Sequence, residues 1–410
     1  MAATSVSLDE SALIETFAGD VTSPLDFRAA GIHCGLKRRR LDLALVVSDR
    51  PASAAGVFTT NKVKAAPVLH SQRIVDSGSA RAILCNSANA NACTGAAGLR
   101  DAQQMGAQAA EELGMVSSQV IVASTGVIGA PLDMGAISSG IPRLVADLAS
   151  SGDAAARAIM TTDTFPKTRA VRFKVAKGEV TIGGMAKGVG MIQPDMATTL
   201  CFLTTDAAID PPLLQATLHQ AIEGSFNRVT VDGDTSTNDC AILLANGASG
   251  LRIEEGTLEY DSFCTALASI TVELAKMLVR DAEGGTKVIA LTVEGAKDDE
   301  EALRAAFTIA NSPLVKTAFY GCQANWGRVL AAAGRADVEM DEARSDIWFN
   351  GIQVARGGLA VAENMALAEV ELRKPEIDVR LSLGAGSGRA TVWTSDLTEE
   401  YVRINGSYIS

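Results

Sequence analysis

Histidine is scarce in this 410-residue chain: there are three, His33, His70 and His219, far apart in sequence. No HxxxH or HxxE pairing exists, so the spacing of a zinc site is missing. A Ser-His-Asp triad has no support either, since no His sits in a suggestive context, and His219 reads as a surface residue on an expected helix over 211–223. The seven cysteines are odd in number and none lies in a CxxC, which in a chain this long points to reduced thiols and a cytoplasmic protein. No run approaches the ~18 apolar residues of a membrane span. The start, MAATSVSLDESALIETFAGD, lacks a basic n-region and a long apolar h-region, so neither a secretory signal nor a transit peptide is expected. Basic residues are outnumbered, and the net charge of −12 argues against a nucleic-acid partner, which needs a basic face. GxSxG, HExxH, GxxxxGK[ST] and a helix-opening GxGxxG are all absent.

What is present is apolar and glycine-rich. Apolar residues reach 47%, aromatics only 4%, and glycine numbers 37, implying a core of Ala, Val, Leu and Ile with many tight turns. At roughly 150 residues per domain the length allows two or three units, or one large one. No repeat, linker or compositional boundary divides the chain. Strand-like runs alternate with helix-like runs, so the class is α/β or α+β. Arg81–Cys85 and Gln119–Ala123 read as strands around a helix over Ala102–Leu113, with Asp101 as N-cap and Gly114 as stop. Val171–Val175 and Glu179–Ile182 flank Lys177-Gly178 as a hairpin, and Thr198–Thr204 is β-branched and strand-like. Pro211–Ile222 carries an i, i+4, i+8 stripe, and Ser262–Arg280 is the strongest helix, capped by Asp261.

The most unusual stretch is Gly183–Met191, with four glycines in eight residues, followed by Ile192–Thr199 and its Pro194. It reads as a loop able to take strained geometry, running into the strand at Thr198. Nucleophilic catalysis without His needs another base. An N-terminal Thr has one, because its own α-amine, with an ordinary pKa near ~8, can accept the hydroxyl proton. A mid-chain Thr becomes N-terminal when its hydroxyl attacks the preceding carbonyl and water cuts the resulting ester. Gly190…Ala197-Thr198 suits that chemistry, and it equally suits an ordinary structural loop. Ser124-Thr125-Gly126, after a strand, reads either as a turn or as an oxyanion-binding corner.

The sequence KGVGMIQPDMATTLCFLTTDA resembles the cleavage-site signature of the ornithine acetyltransferase family of glutamate N-acetyltransferases. The resemblance continues in order through AAGVFTTNKVKAAPV, NSANANACTG, ASTGVIG, IMTTDTFPK, FNRVTVDGDTSTND, LVRDAEGGTK, ANSPLVKTAFYGCQANWGRVLAAAG and the tail DLTEEYVRINGSYIS. It implies self-cleavage between Ala197 and Thr198 into an α chain, 1–197, and a β chain, 198–410, intertwined in one globular unit. It implies Thr198 as a nucleophile that takes acetyl from N-acetylornithine and passes it to glutamate in arginine biosynthesis, with Thr125 and Gly126 as the oxyanion hole. Thr164, Lys187, Thr198, Glu283, Asn405 and Ser410 are the implied substrate contacts. The implied fold is a layered αββα α/β sandwich, superficially like N-terminal-nucleophile hydrolases but differently connected, in a cytoplasmic α2β2 assembly. No metal or cofactor is implied. Bifunctional members also use acetyl-CoA as a substrate, and the residues do not decide between the two types. Ala88 stands where the family has Gly, Thr199 where Met is common, and Gln323 where an acidic residue is usual, while Asp195 looks like a variant of Asn. Two other readings keep the scaffold: an amidohydrolase or aminopeptidase in which water replaces glutamate, and a non-cleaving binding protein.

Overall fold

The computed structural model describes residues 13–193 and 199–407. In chain order its first sheet takes β1 (Leu13–Phe17), β2 (Phe27–Ile32), β3 (Leu43–Phe58), β4 (Ser79–Asn89) and β5 (Val120–Val127). It continues with β6 (Lys167–Val175), β7 (Gly178–Lys187) and β8 (Leu200–Thr205). The short β9 (Ala208–Ile209) and β10 (Val229–Thr230) precede β11 (Cys240–Ala245), which joins the first sheet, and β12 (Arg252–Ile253), which pairs with β9. The spatial order is β1-β6-β7-β8-β11-β3-β4-β5, with β2 also on β3. A second sheet is built from β10 with β13 (Val288–Ala296), β14 (Asp346–Phe349), β15 (Ile352–Arg356), β16 (Leu359–Ala360), β17 (Glu376–Ser382) and β18 (Gly388–Ser395).

Helices cover both faces of the first sheet. Leu45, Leu84 and Val122 pack under α2 (Gly95–Leu113) and α3 (Met134–Ala146), while Ile83, Ile121 and Phe202 face α1 (Ala66–Val75) and α4 (Asp153–Ile159). Farther along, Phe173, Leu203 and Leu243 pack against α5 (Pro211–Glu223) and α6 (Leu258–Arg280), with Phe173 edge-on to Phe263 at 6.5 Å. The second sheet buries its own core under α7 (Asp299–Ala310), α8 (Pro313–Tyr320), α9 (Trp326–Ala333) and α10 (Met365–Glu371). The chain closes with α11 (Glu399–Ser407). The fold is a layered α+β sandwich. Helix α6 is long and apolar enough to cross a membrane, but it is mostly buried, and its apolar side fills the core against β6 and β7.

Several boundaries differ from the sequence reading, each for a local reason. Helix α2 begins two turns early, at Gly95 after Thr94, so Asp101 lies within it, and Gly114 ends it in the left-handed conformation at φ +64°. Helix α6 begins at Leu258, where the Thr257 hydroxyl accepts from Tyr260 N at 3.3 Å; Asp261 is an acidic residue of the first turn. Gly183 and Gly184 do not form a loop. They lie inside β7, where a Cβ at Gly183 would sit 2.1 Å from the Asp20 carbonyl oxygen, and one at Gly184 would meet Leu203 and Leu274 below 3 Å. These glycines admit close neighbours rather than a turn.

Strand β8 is buried along its length and central. It runs antiparallel to β7, with Leu200 opposite Lys187, and parallel to β11, with Leu200 opposite Cys240. Segments before residue 193 and after residue 199 therefore share one hydrogen-bonded sheet.

Candidate active site

The ends of β5, β7 and β11 border one cavity. It is lined by Thr125, Gly126, Lys187, Glu283 and Asn405, all expected from the sequence, and by Thr162 and Asn238, which were not. Ala197, Thr198 and Ser410 lie outside the described residues.

Thr125 and Gly126 are the last turn of pleat before β5 ends. Gly126 has φ +132°, and a Cβ there would lie 2.2 Å from the carbonyl carbon of Ala88, so only glycine fits. The corner is fixed by Asn238, whose Nδ2 donates to the Ser124 carbonyl at 2.8 Å and the Ala90 carbonyl at 2.6 Å. Lys187, at the end of β7, is 3% exposed and donates from Nζ to Thr125 Oγ1 at 3.2 Å. Because that oxygen accepts, the Thr125 proton can point elsewhere, into the cavity. Burial pushes the Lys187 ammonium below the ordinary lysine range, and the nearby Asp163 carboxylate pulls it back up.

A buried ion cluster supports this wall. Lys167 Nζ donates to Asp163 Oδ1 at 2.7 Å and to Asp281 Oδ2 at 2.6 Å, and Asp163 Oδ1 also accepts from Gly188 N at 2.9 Å. Burial alone would raise the Asp163 pKa, but Lys187 and Lys167 together hold it well below the carboxylate range. The buried Lys167 ammonium is thus held between two carboxylates, as a desolvated charge requires.

Thr164, expected at the substrate, bonds to this cluster. Its N–H donates to Asp281 at 3.0 Å, its hydroxyl donates to the same carboxylate, and it does not line the cavity. Thr162 takes the inward position and donates from Oγ1 to Glu283 Oε1 at 2.8 Å. Asn405, reaching in from α11, donates to Glu283 Oε2 at 2.9 Å. The Glu283 backbone is fixed by its own N–H on the Val189 carbonyl at 2.9 Å. The cavity lining therefore includes a cation and a carboxylate, both oriented by neutral donors or acceptors.

The segment before the undescribed residues is clamped. Met191, at φ +54°, and Ile192 donate their N–H groups to Asp232 at 2.6 and 2.9 Å, and Tyr401 donates its hydroxyl to the same carboxylate at 3.2 Å. On the far side, Thr199 N donates to Asp239 Oδ1 at 2.6 Å. Among the described residues no group of three His, Cys, Asp or Glu side chains is arranged to hold a metal ion.

Residues 28–410 match the sequence profile of the ArgJ family. The arginine biosynthesis bifunctional protein ArgJ of Symbiobacterium thermophilum is 49% identical over 96% of this chain and 100% of that protein. The chain belongs to the ArgJ family. The ArgJ protein of Geobacter sulfurreducens is 48% identical over 93% of this chain and 98% of its own. A solved ornithine acetyltransferase from Mycobacterium tuberculosis, in complex with ornithine, is 42% identical over 44% of this chain and 98% of that one, with a TM-score of 0.42. As an ArgJ protein the chain is an acyltransferase of arginine biosynthesis.

Three departures from the family pattern acquire a setting. Ala88 sits at φ +89°, a conformation that explains why glycine is usual there. Thr199 is buried with its N–H on Asp239, and Gln323 is an exposed residue beyond α8, remote from the cavity lining.

Proposed function

We propose that this ArgJ protein moves acetyl from N2-acetylornithine to glutamate through an acetyl ester of Thr198, after cutting itself between Ala197 and Thr198. The paired charges of the cavity carry this reading: a buried Lys187 suits an α-carboxylate, and Glu283, cradled by Thr162 and Asn405, suits the side-chain ammonium of an ornithine. In maturation the Thr198 hydroxyl attacks the Ala197 carbonyl, the peptide becomes an ester, and water releases the α chain, 1–197, from the β chain, 198–410. The freed α-amine then accepts the hydroxyl proton as Thr198 Oγ attacks the acetyl carbonyl. The ornithine amine departs with a proton, and the amine of glutamate later attacks the ester and regenerates the hydroxyl.

Each attack puts negative charge on the acetyl oxygen. The Thr125 hydroxyl, oriented by its bond from Lys187, and the Gly126 N–H are the proposed donors, and loss of one such donor typically costs about 10²–10³ in rate. No metal or cofactor is needed in this scheme. We further propose a cytoplasmic enzyme, α2β2 in assembly, that also accepts acetyl-CoA as donor.

Thr198→Ala is expected to give one uncut chain with no transfer activity, against two bands of similar size for the wild type on a denaturing gel. N-terminal sequencing of the β chain should read Thr-Thr-Leu-Cys. Normal turnover in Thr198→Ala would refute the nucleophile. N-acetylornithine loss that does not depend on glutamate would instead favour the hydrolase.

A further inference from the structure

Four consecutive cations, Lys37-Arg38-Arg39-Arg40, stand out in a chain of net charge −12. They lie in the loop between β2 and β3, and Arg38, Arg39 and Arg40 are exposed. Several surface arginines sit on a carboxylate, as Arg28 does on Asp49 at 2.6 Å and Arg157 on Asp153 at 2.8 Å. Among the described residues no carboxylate pairs with Arg38, Arg39 or Arg40.

The loop is nonetheless built rather than loose. Asp42, fully buried, accepts the N–H groups of Cys34 at 2.7 Å, Gly35 at 3.3 Å and Lys37 at 2.8 Å, so this acid is consumed in shaping the turn. The loop is also tied to the active-site wall. Lys37 Nζ donates to the Met160 carbonyl at 2.6 Å, and Arg40 donates to the carbonyl of Thr161 at 3.4 Å. Thr161 and Thr162 line the cavity. Lys37 is close enough to feel the charge of Lys187, and its own pKa falls to about 8, mainly through burial. Arg143 extends the positive edge by donating to the His33 carbonyl at 3.2 Å.

We propose that the Lys37–Arg40 loop is a phosphate-binding subsite at the mouth of the cavity, serving an acyl donor that carries phosphates, namely a nucleotidyl thioester of the acetyl-CoA type. Guanidinium groups bind phosphate oxygens through paired N–H donors, and arginines without a carboxylate partner on a loop tied to the cavity wall suit such a ligand. The phosphates rest on Arg38 and Arg39 while the acyl end enters past Thr161. Thr198 Oγ then attacks the thioester carbonyl, the C–S bond breaks, the thiol leaves with the hydroxyl proton, and the same acetyl ester forms. N-acetylornithine carries no phosphate and makes no use of the loop. This inference rests on the acetyl-transfer chemistry proposed above.

The test compares both donors on mature wild type, the double variant Arg38→Ala/Arg39→Ala and the charge-retaining Arg38→Lys/Arg39→Lys. The KM for acetyl-CoA should rise on the order of tenfold in the alanine variant and less in the lysine variant, while KM for N-acetylornithine stays unchanged. Adenosine 3′,5′-bisphosphate should bind wild type by calorimetry, compete with acetyl-CoA, and bind the alanine variant about tenfold more weakly. An unchanged acetyl-CoA KM would overturn the proposal. So would a wild type that neither uses acetyl-CoA nor binds the bisphosphate, even with normal transfer from N-acetylornithine. A rise in glutamate KM that is equal with both donors would make the loop a steering patch for dicarboxylates and refute the subsite. Absence of transfer from N-acetylornithine would remove the function proposed above, and bisphosphate binding would still decide the loop's role.

Discussion

Replacing Gly190 by alanine tests the carboxylate side of the cavity with a single methyl group. A Cβ at Gly190 would lie 2.7 Å from Glu283 Oε2 and 3.0 Å from its Cδ, whereas ordinary contact begins at 3.4 Å. The carboxylate must therefore withdraw by about 0.7 Å, the difference between 3.4 and 2.7 Å. Gly190 is outside the left-handed region, so the alanine backbone is unstrained, and what must move is the end of a side chain. The fold should survive. The displaced carboxylate loses its fit to Thr162 and Asn405, now at 2.8 and 2.9 Å, and with it its aim at a substrate ammonium. A hydrogen bond to a charged group contributes about 1.5–3 kcal/mol, and the lower end applies to half-buried Glu283. About 1.4 kcal/mol is tenfold in an equilibrium constant, so KM for N-acetylornithine should rise about tenfold. Glutamate has no side-chain ammonium, and its KM should stay within about twofold. Steady-state kinetics on fully cut enzyme, with a melting curve beside it, checks both. Unchanged KM for the donor in a folded variant would show that Glu283 does not meet substrate. Equal rises for donor and acceptor would show a cavity narrowed in general, and the assignment of Glu283 to the ammonium would fail.

Two further predictions concern stability. Burial lowers the Lys316 pKa to about 8 from its ordinary 10.5, while Nζ donates to Thr394 Oγ1 at 2.8 Å and to the Ser395 carbonyl. The unfolded chain keeps that proton up to about pH 10.5, so it binds more protons than the folded chain between pH 8 and 10.5, and stability gains with pH across that window. Against Lys316→Met, wild type should show an additional rise in unfolding free energy from pH 8 to 10.5, of order 3 kcal/mol, in denaturant titrations; parallel pH curves would refute the buried charge. Ala88→Gly should stabilise. Relief of the φ +89° backbone contributes about 1–2 kcal/mol, the greater freedom of glycine in the unfolded chain takes back about 0.4–1 kcal/mol, and a net gain of about 0.5–1 kcal/mol should appear as a higher denaturation midpoint. A lower midpoint would mean the strain is not stored there.

The parts of this site legible in one sequence are those fixed by local chemistry. The hairpin of β6 and β7 follows from a turn dipeptide between alternating residues, and the αL stop at Gly114 follows from glycine's lack of a Cβ. Glu283 stood out because a carboxylate just past a helix C-terminus opposes the helix dipole, and the structure supplies the donors that hold it there. What stayed hidden depends on partners far along the chain. Thr162 and Thr164 are both hydroxyls in one TTDT run. Which of them turns inward is decided by Asp281 and Glu283, more than a hundred residues away, and Asp281 captures Thr164. The same holds for Gly183 and Gly184: glycine composition alone cannot separate a flexible loop from a strand crowded by Asp20 and Leu274, because the crowding atoms are not neighbours in sequence. Lys167 shows the energetic side of this. A lysine is read as solvated until both Asp163 and Asp281 are known to surround it, and only their combined charge lets it stay fully buried beneath the wall that carries Lys187. Cation and carboxylate therefore line one cavity because β7 and the end of α6 are locked by that cluster. The charged lining of this cavity is thus a property of the sheet's long-range register, which no single motif contains.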